Sequence, residues 1–331
     1  LIFGKTIFLS PLDWGSGHAT RCVAIIKELL LNDNKIIIGV TPLTHQIFEQ
    51  EFPTLEKINV PPYNITYSSF LPVWFSLLLS GRRIWNVVKD ERDFLEEIVS
   101  KHKVDIVISD NRLGLYTKKA QCIFITHQVF LKAPFLSFLF QRINKKSLLN
   151  FDKVWIPDYE STVDSLSGEL SHGEHFHKNV KYLGPKSRLQ KCSEVNKKYD
   201  YLFLISGPEP QKTIFENLLI KEAKKHLQLN FALVTHTYQK TNEKNIDYFN
   251  SPESEALSRI ICESTVIVCR SGYSTLMDLH ILKKTNLILI PTPGQTEQEY
   301  LANYWKKKFK ATVCKQHKIK LEVFNQNSFT P

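Results

Sequence analysis

The sequence predicts an α/β protein built as two doubly wound domains, each a parallel sheet with helices on both faces. Three observations carry this expectation. Short β-rich runs alternate with helical patterns along the whole 331-residue chain. The runs are apolar throughout rather than every second residue, which marks strands covered on both sides. The alternation pauses once, over the polar and basic stretch from Gly184 to Lys198, and each half is long enough to bury its own core.

In the first half, strands are expected at Thr6–Ser10, Lys35–Val40, Val104–Ser109, Cys122–Thr126 and Lys153–Ile156, with a short apolar run at Val180–Leu183. The second half offers Tyr201–Ser206, Phe231–Thr235, Thr265–Cys269 and Asn286–Ile290. Helical periodicity falls between them, over His18–Leu31, Ile84–Lys101, Ile214–His226, Pro252–Glu263, Ser274–Lys283 and Glu297–Lys308. Strand and helix alternating at this spacing are the doubly wound pattern. The expected boundaries are a first domain over 1–184, a linker over 185–198 and a second domain over 199–331, whose last residues are expected to pack back on the first.

Composition narrows the function classes. With 43% hydrophobic and 23% charged residues, the chain reads as a soluble globular protein. A net charge of +10 attracts phosphates in general, whether on nucleotides, nucleic acid or anionic lipid. The aromatics are not interleaved with basic residues as in single-strand binders, so nucleic acid is not expected, and the lysines of Trp305–Lys310 read as a solvated helix face. The six cysteines, Cys22, Cys122, Cys192, Cys262, Cys269 and Cys314, show no paired spacing, and they read as reduced core residues of a cytosolic protein. The opening Leu1-Ile2-Phe3-Gly4-Lys5 does not read as a signal peptide, and no apolar stretch reaches transmembrane length. His172, His175 and His177 lack clean helical spacing and lie in a loop-like stretch, so no metal site is expected.

Two first-half segments depart from the soluble pattern. Phe70 to Trp85 includes Trp74 and carries Gly81-Arg82-Arg83, and Val129 to Phe140 is followed by Arg142, Lys145 and Lys146. Aromatics and leucines flanked by cations suit the headgroup boundary of an anionic membrane; the alternatives are amphipathic helices folded on the first sheet, or a dimer contact.

Four loops carry the chemistry. Arg270-Ser271-Gly272-Tyr273-Ser274-Thr275 joins a buried strand to a helix, and a glycine turn there directs backbone N–H groups at an anion. Asp278, one turn into that helix, is placed to accept from a ribose diol. Ser206-Gly207-Pro208 repeats the strand–glycine–helix arrangement, although its prolines remove donors. Gln295, Glu297, Gln298 and Glu299 begin another helix and suit a hydroxyl-rich ligand. In the first domain, Gly15-Ser16-Gly17-His18 follows the first strand; Arg21 stands where a dinucleotide fingerprint would need glycine. A neutral histidine at that helix start is a candidate base, and Asp110 after its own strand is a candidate to orient it or to bind acceptor.

One histidine of the first domain facing three polar loops of the second resembles the GT-B glycosyltransferases, whose two Rossmann-like domains face across a cleft. The likeness is greatest to the N-acetylglucosaminyltransferase family that makes lipid II in bacterial peptidoglycan synthesis. The run from Arg270 to Asp278 resembles that family's R-S-G-x-x-T-x-x-E element, Glu297-Gln298-Glu299-Tyr300 its Gln-rich element, and Gly15-Ser16-Gly17-His18 its N-terminal glycine loop. Three departures stand out: Asp278 for Glu, Ser206-Gly207-Pro208 for a glycine-richer loop, and Glu299 for a second Gln.

The resemblance implies an inverting hexosyltransferase without metal or bound cofactor, which moves sugar from a UDP-linked donor to a lipid-linked or glycan acceptor. His18 and Asp110 are its catalytic candidates. Ser206, Gly207, Phe249, Arg270, Ser271, Gly272, Ser274, Thr275, Asp278, Gln295, Glu297 and Gln298 are the donor-site candidates, and Gly15, Gly17, Trp74 and His127 those for acceptor. It also implies a cytoplasmic protein, peripheral on the inner face of the cell membrane. The absence of any Asp-x-Asp pair agrees with a metal-free mechanism. Gly15-x-Gly17-His18-x-x-Arg21 is similar as well to the UDP-sugar hydrolases of nonulosonic acid synthesis, where the histidine would activate water. A hydrolase, a 2-epimerase and an inactive nucleotide-sugar-binding subunit are therefore the alternatives.

Overall fold

The computed structural model describes residues 2–63, 81–130, 137–174, 177–192, 195–235 and 243–320. Its residues cluster into two compact units that divide between Arg188 and Leu189. The N-terminal unit contains, in chain order, β1 (Thr6–Pro11), α1 (Ser16–Leu30), β2 (Lys35–Val40), α2 (Pro42–Glu51), β3 (Glu56–Asn59), α3 (Gly81–His102), β4 (Ile106–Asp110), β5 (Gln121–Ile125), α4 (Ser137–Leu148), β6 (Lys153–Ile156) and β7 (Val180–Tyr182). Its sheet runs β3-β2-β1-β4-β5-β6-β7, with every pairing parallel.

The apolar runs are explained by this sheet. Ile7 and Leu9 of β1, Ile106 and Ile108 of β4, and Ile123 and Ile125 of β5 pack with α1 and with Phe48 of α2 on one face. The intervening Phe8, Val107, Cys122 and Phe124 pack with Leu95, Ile98 and Val99 of α3 on the other. Each strand therefore needs apolar side chains at consecutive positions, and the fully buried Leu9, worth about 1.5–3 kcal/mol of transfer energy, is typical of the set.

The C-terminal unit contains β8 (Tyr199–Leu204), α5 (Gln211–Ala223), β9 (Phe231–Thr235), β10 (Ile246–Asn250), α6 (Ser254–Glu263), β11 (Ser264–Cys269), α7 (Tyr273–Ile281), β12 (Leu287–Leu289), α8 (Thr296–Phe309) and β13 (Thr312–Val313). The sheet order is β10-β9-β8-β11-β12-β13, again all parallel. In both sheets the winding reverses once, between β1 and β4 and between β8 and β11. A reversal leaves a crevice outside the carboxyl ends of the two central strands, where ligands of such sheets bind.

The expected strands all form, with ends displaced by at most two residues. The edge strands β3, β10 and β13 and the helix α2 were not expected. Glu56-Lys57-Ile58-Asn59 is only partly covered and carries little apolar signal, as suits the edge of a sheet. Trp74 and most of both apolar-basic segments lie outside the described residues. So do His175 and the last residues, 321–331. No described helix is long and apolar enough to cross a membrane.

The polar segment between the sheets is held at both ends. Lys186 pairs with Glu28, and Arg188 approaches Glu51 at 3.4 Å in the N-terminal unit. Further on, Leu189 is buried, Gln190 N donates to Ser258 Oγ, and Cys192 forms a disulfide with Cys262 of α6. That disulfide corrects the expectation of six reduced thiols. No local spacing announces it, because 70 residues separate the partners and only the fold brings α6 beside the segment. Cys22, Cys122 and Cys269 are buried thiols, and Cys314 is a half-buried one.

Closing a loop of this length restricts the unfolded chain, so Cys192→Ser is expected to lower the stability of the C-terminal unit by about 2–4 kcal/mol. Denaturant unfolding of the variant and the oxidised parent measures the difference.

Candidate active site

At the N-terminal reversal, Pro11 of β1 stands opposite Asp110 of β4, and Leu12 N donates to the Asp110 carbonyl at 2.8 Å. The chain then turns through Gly15, whose φ of 118° is open only to glycine, into α1. No side chain caps that helix start. His18 and Arg21 are one helical turn apart and so share a face, directed at Asp110.

Their contacts form a polar cluster. Arg21 Nε donates to Asp110 Oδ2 at 2.5 Å, and Arg21 Nη2 donates to Asp110 Oδ1. His18 Nδ1 lies 2.9 Å from Asp110 Oδ1 and 2.8 Å from Arg21 Nη2. His127, just beyond β5, has Nδ1 3.0 Å from Arg21 Nη1. Asp110 and Arg21 are fully buried, whereas the His18 side chain is 18% exposed and is the open member of the cluster.

These contacts separate the two histidines. A guanidinium only donates, so His127 Nδ1 accepts from Arg21 and the ring proton of neutral His127 sits on Nε2, as a donor. His18 Nδ1 faces both an acceptor and a donor, and Asp110 and Arg21 compete for it. Donation to Asp110 leaves the lone pair on Nε2, which is the state a base requires. Burial alone would raise the Asp110 carboxyl; the Arg21 guanidinium, and after it His18, outweigh that and hold it well below its ordinary range. An ionised carboxylate is thus in place to stabilise an imidazolium as it forms. Burial first, and the Asp110 carboxylate after it, push the neighbouring Cys22 thiol up, which favours its protonated form.

A second buried network steadies the loop after β4. Arg112 Nε donates to Glu91 Oε1 at 2.6 Å, and its other nitrogens reach the carbonyls of Pro11 and Pro61. Tyr63 OH and Gly114 N donate to Glu91 Oε2, both at 2.9 Å. Nearby, Asp13 Oδ1 and Trp14 Nε1 are buried without partners.

At the C-terminal reversal the loops after β8, β11 and β12 share one sheet edge. Gly207 turns the first at φ 112°, and Glu209 accepts from Thr213 at the start of α5. Gly272 is the N-cap of α7, with no side-chain cap; Ser274, Thr275 and Asp278 on its first turns are half-buried. Gln295 is the N-cap of α8 and has a buried Oε1 without a partner, as does Thr292 Oγ1. Glu297 is half-buried on the first turn of α8.

Four of the donor-site candidates have partners within the domain. Arg270 is buried: Nη1 donates to the carbonyls of Ile290 and Pro291, and Nη2 to Gln211 O and Gln316 Oε1. It braces the surrounding loops rather than reaching out, and burial pushes its guanidinium down to about 9, which leaves it charged at neutral pH. Ser271 Oγ donates to Gln298 O at 2.7 Å, and Gln298 Oε1 accepts from Thr292 N at 2.8 Å, so these polar groups also hold the loops together. The Phe249 ring packs edge-on against Tyr199, the first residue of β8.

Of the first-domain candidates, the structure brings His18, Asp110 and His127 together, with Gly15 and Gly17 in the turn that positions His18. Sequence reasoning missed Arg21, whose signal was its three-residue spacing from His18. His172 and His177 both engage main-chain groups, and among the described residues no cluster of His, Cys, Asp or Glu is arranged to hold a metal ion.

Comparison with known proteins agrees with this architecture. Residues 202–327 match the family described as "Glycosyltransferase family 28 C-terminal domain". A Methanosarcina mazei protein named "Uncharacterized glycosyltransferase" is 22% identical over 317 residues, covering 86% of this chain and 79% of its own. Acinetobacter baumannii MurG superposes with a TM-score of 0.55 at 14% identity, over 97% of this chain and 88% of its own. The glycosyltransferase SnogD of Streptomyces nogalater gives 0.65 at 11% identity, over 97% and 89%. An Arabidopsis thaliana protein complexed with UDP-L-rhamnose gives 0.64 at 10%, over 96% and 86%. The shared fold is GT-B, two Rossmann-like domains.

Asp110→Ala strands a buried guanidinium and is expected to cost about 3–5 kcal/mol in denaturant unfolding. Because the folded carboxyl lies well below its ordinary value of 3.8, its contribution is complete above that value and is lost progressively as pH falls from there through the lower folded value. A pH series of unfolding curves, steeper on the acid side for the parent than for Asp110→Ala, checks the sign.

Proposed function

We propose that this chain, a glycosyltransferase of GT-B fold, moves a hexose from a UDP-linked donor to a lipid-linked or glycan acceptor, inverting the anomeric centre without metal or bound cofactor. The observation that carries the reading is the cluster at the β1/β4 reversal, where a partly open histidine rests on a fully buried, ionised carboxylate. In this reading His18 Nε2 takes the proton of the acceptor hydroxyl as it attacks the anomeric carbon. Asp110 stabilises the resulting imidazolium, and His127 Nε2 donates to the acceptor.

The leaving group is a nucleoside diphosphate, so the main requirement is to stabilise charge on its β-phosphate. The start of α7 after Gly272 and the amides at Ser206 and Gly207 supply donors. Arg270 adds positive charge from beneath the loops, and Asp278 binds the ribose. The domain that carries these groups is the one that matches a glycosyltransferase family. Contact with an anionic membrane at the cytoplasmic face is supported by Trp85 on α3, 73% exposed, and by exposed Ile143, Lys145, Lys146 and Leu149 on and after α4.

Purified protein incubated with a panel of nucleotide sugars, with and without lipid extract, tests the reaction. Diphosphate release that requires the extract is the expected outcome; equal release without any acceptor would establish hydrolysis instead. His18→Ala is expected to lower turnover by about 10²–10⁴ while nucleotide affinity holds. Asp278→Ala is expected to weaken UDP binding by about tenfold in calorimetry, with unchanged thermal stability. Sedimentation with vesicles containing anionic lipid should fall for Trp85→Ser.

A further inference from the structure

Away from both candidate sites, two lysines converge on the same pair of main-chain carbonyls. Lys197, just before β8, donates from Nζ to Cys262 O at 2.7 Å and to Ser264 O at 3.1 Å. Lys284, just after α7, donates to the same two oxygens, each at 3.1 Å. These carbonyls mark the junction where α6 ends and β11 begins, so each nitrogen lies in the other's immediate surroundings.

Either carbonyl can accept from an amine, more weakly than from an ammonium, so the contacts can outlast the loss of a proton, whereas two ammonium groups on one carbonyl pair repel. Among the described residues no carboxylate acts on Lys284, and the charged group that does is Lys197. Lys197 is exposed and Lys284 half-buried, so Lys284 is the one whose charge is disfavoured. Burial first, and Lys197 after it, bring its ammonium down to about 7.

We propose that Lys284 is a nucleophilic amine at neutral pH and a modification site for small activated acyl groups, made so by Lys197 on the shared carbonyl pair. A lysine partly desolvated beside a second cation is a known route to amine nucleophilicity. In the step, the Lys284 lone pair attacks the carbonyl carbon of the acyl donor. The C–N bond forms as the bond to the leaving group breaks, the leaving group departs with that electron pair, and one nitrogen proton passes to water. The acylated lysine keeps one N–H for the carbonyls and relieves Lys197 of its like-charged neighbour. Nothing in this proposal depends on sugar transfer.

Trace acetylation of the full chain with acetic anhydride between pH 6 and 9.5, read by peptide mass spectrometry, is the test, with the adjacent exposed Lys283 as internal reference. The expected result is that Lys284 reacts about tenfold faster than Lys283 at pH 7.5, with its rate levelling above pH 8. Lys197→Met keeps the aliphatic stem and removes the charge; it should lower the Lys284 rate at pH 7.5 severalfold and move its midpoint upward, with circular dichroism unchanged. Equal rates at the two lysines, or a Lys284 midpoint that does not move in Lys197→Met, would overturn the proposal.

Discussion

The constraint on which the rest depends is the single reversal of winding in each parallel sheet. Crossovers of one hand lay helices on both faces of a sheet, and where the strand order turns back no crossover covers the carboxyl ends of the two central strands. In the N-terminal sheet those ends are Pro11 and Asp110, in register with each other. In the C-terminal sheet they are Leu204 and Cys269, also in register. The candidate catalytic cluster and the candidate phosphate loops lie at and beside these two places, where polar loop residues follow rigid strands.

The two sites handle buried charge differently. In the N-terminal domain, Arg21 is matched by the carboxylate of Asp110, and burial strengthens the pair's hold on the adjacent imidazole. In the C-terminal domain, Arg270 donates to main-chain carbonyls and to the side-chain oxygen of Gln316, and it keeps a positive charge beneath loops read as phosphate-binding. In the proposed reaction the first arrangement positions a proton acceptor, and the second contributes an electrostatic field that favours an anion. Arg112 with Glu91 is a third case, a buried pair that steadies the loop following Asp110.

Much of the site was legible as position and less of it as role. Gly15, Gly207 and Gly272 punctuate strand-to-helix turns, and His18, Asp110 and Asp278 stand at offsets from strand ends that place them at the carboxyl edge. What those polar side chains touch was not legible. Arg270, Ser271 and Gln298 look in sequence like ligand-facing groups, yet each also serves the main chain of a neighbouring loop. The Phe249 ring rests edge-on against Tyr199. Nor did the spacing of cysteines reveal the Cys192–Cys262 bridge.

By itself, the sequence determined the parallel two-domain plan, since consecutive apolar residues along a strand follow from local chemistry and burial on both faces. It also marked the candidate loops, since glycine and polar residues at strand ends are local signals. Only the tertiary structure decided which side chains pair: Arg21 with Asp110 across 89 residues, Arg270 with three loops, and Lys197 with Lys284 on one pair of carbonyls. Such pairings depend on distances between elements remote in the chain, and no periodicity records them.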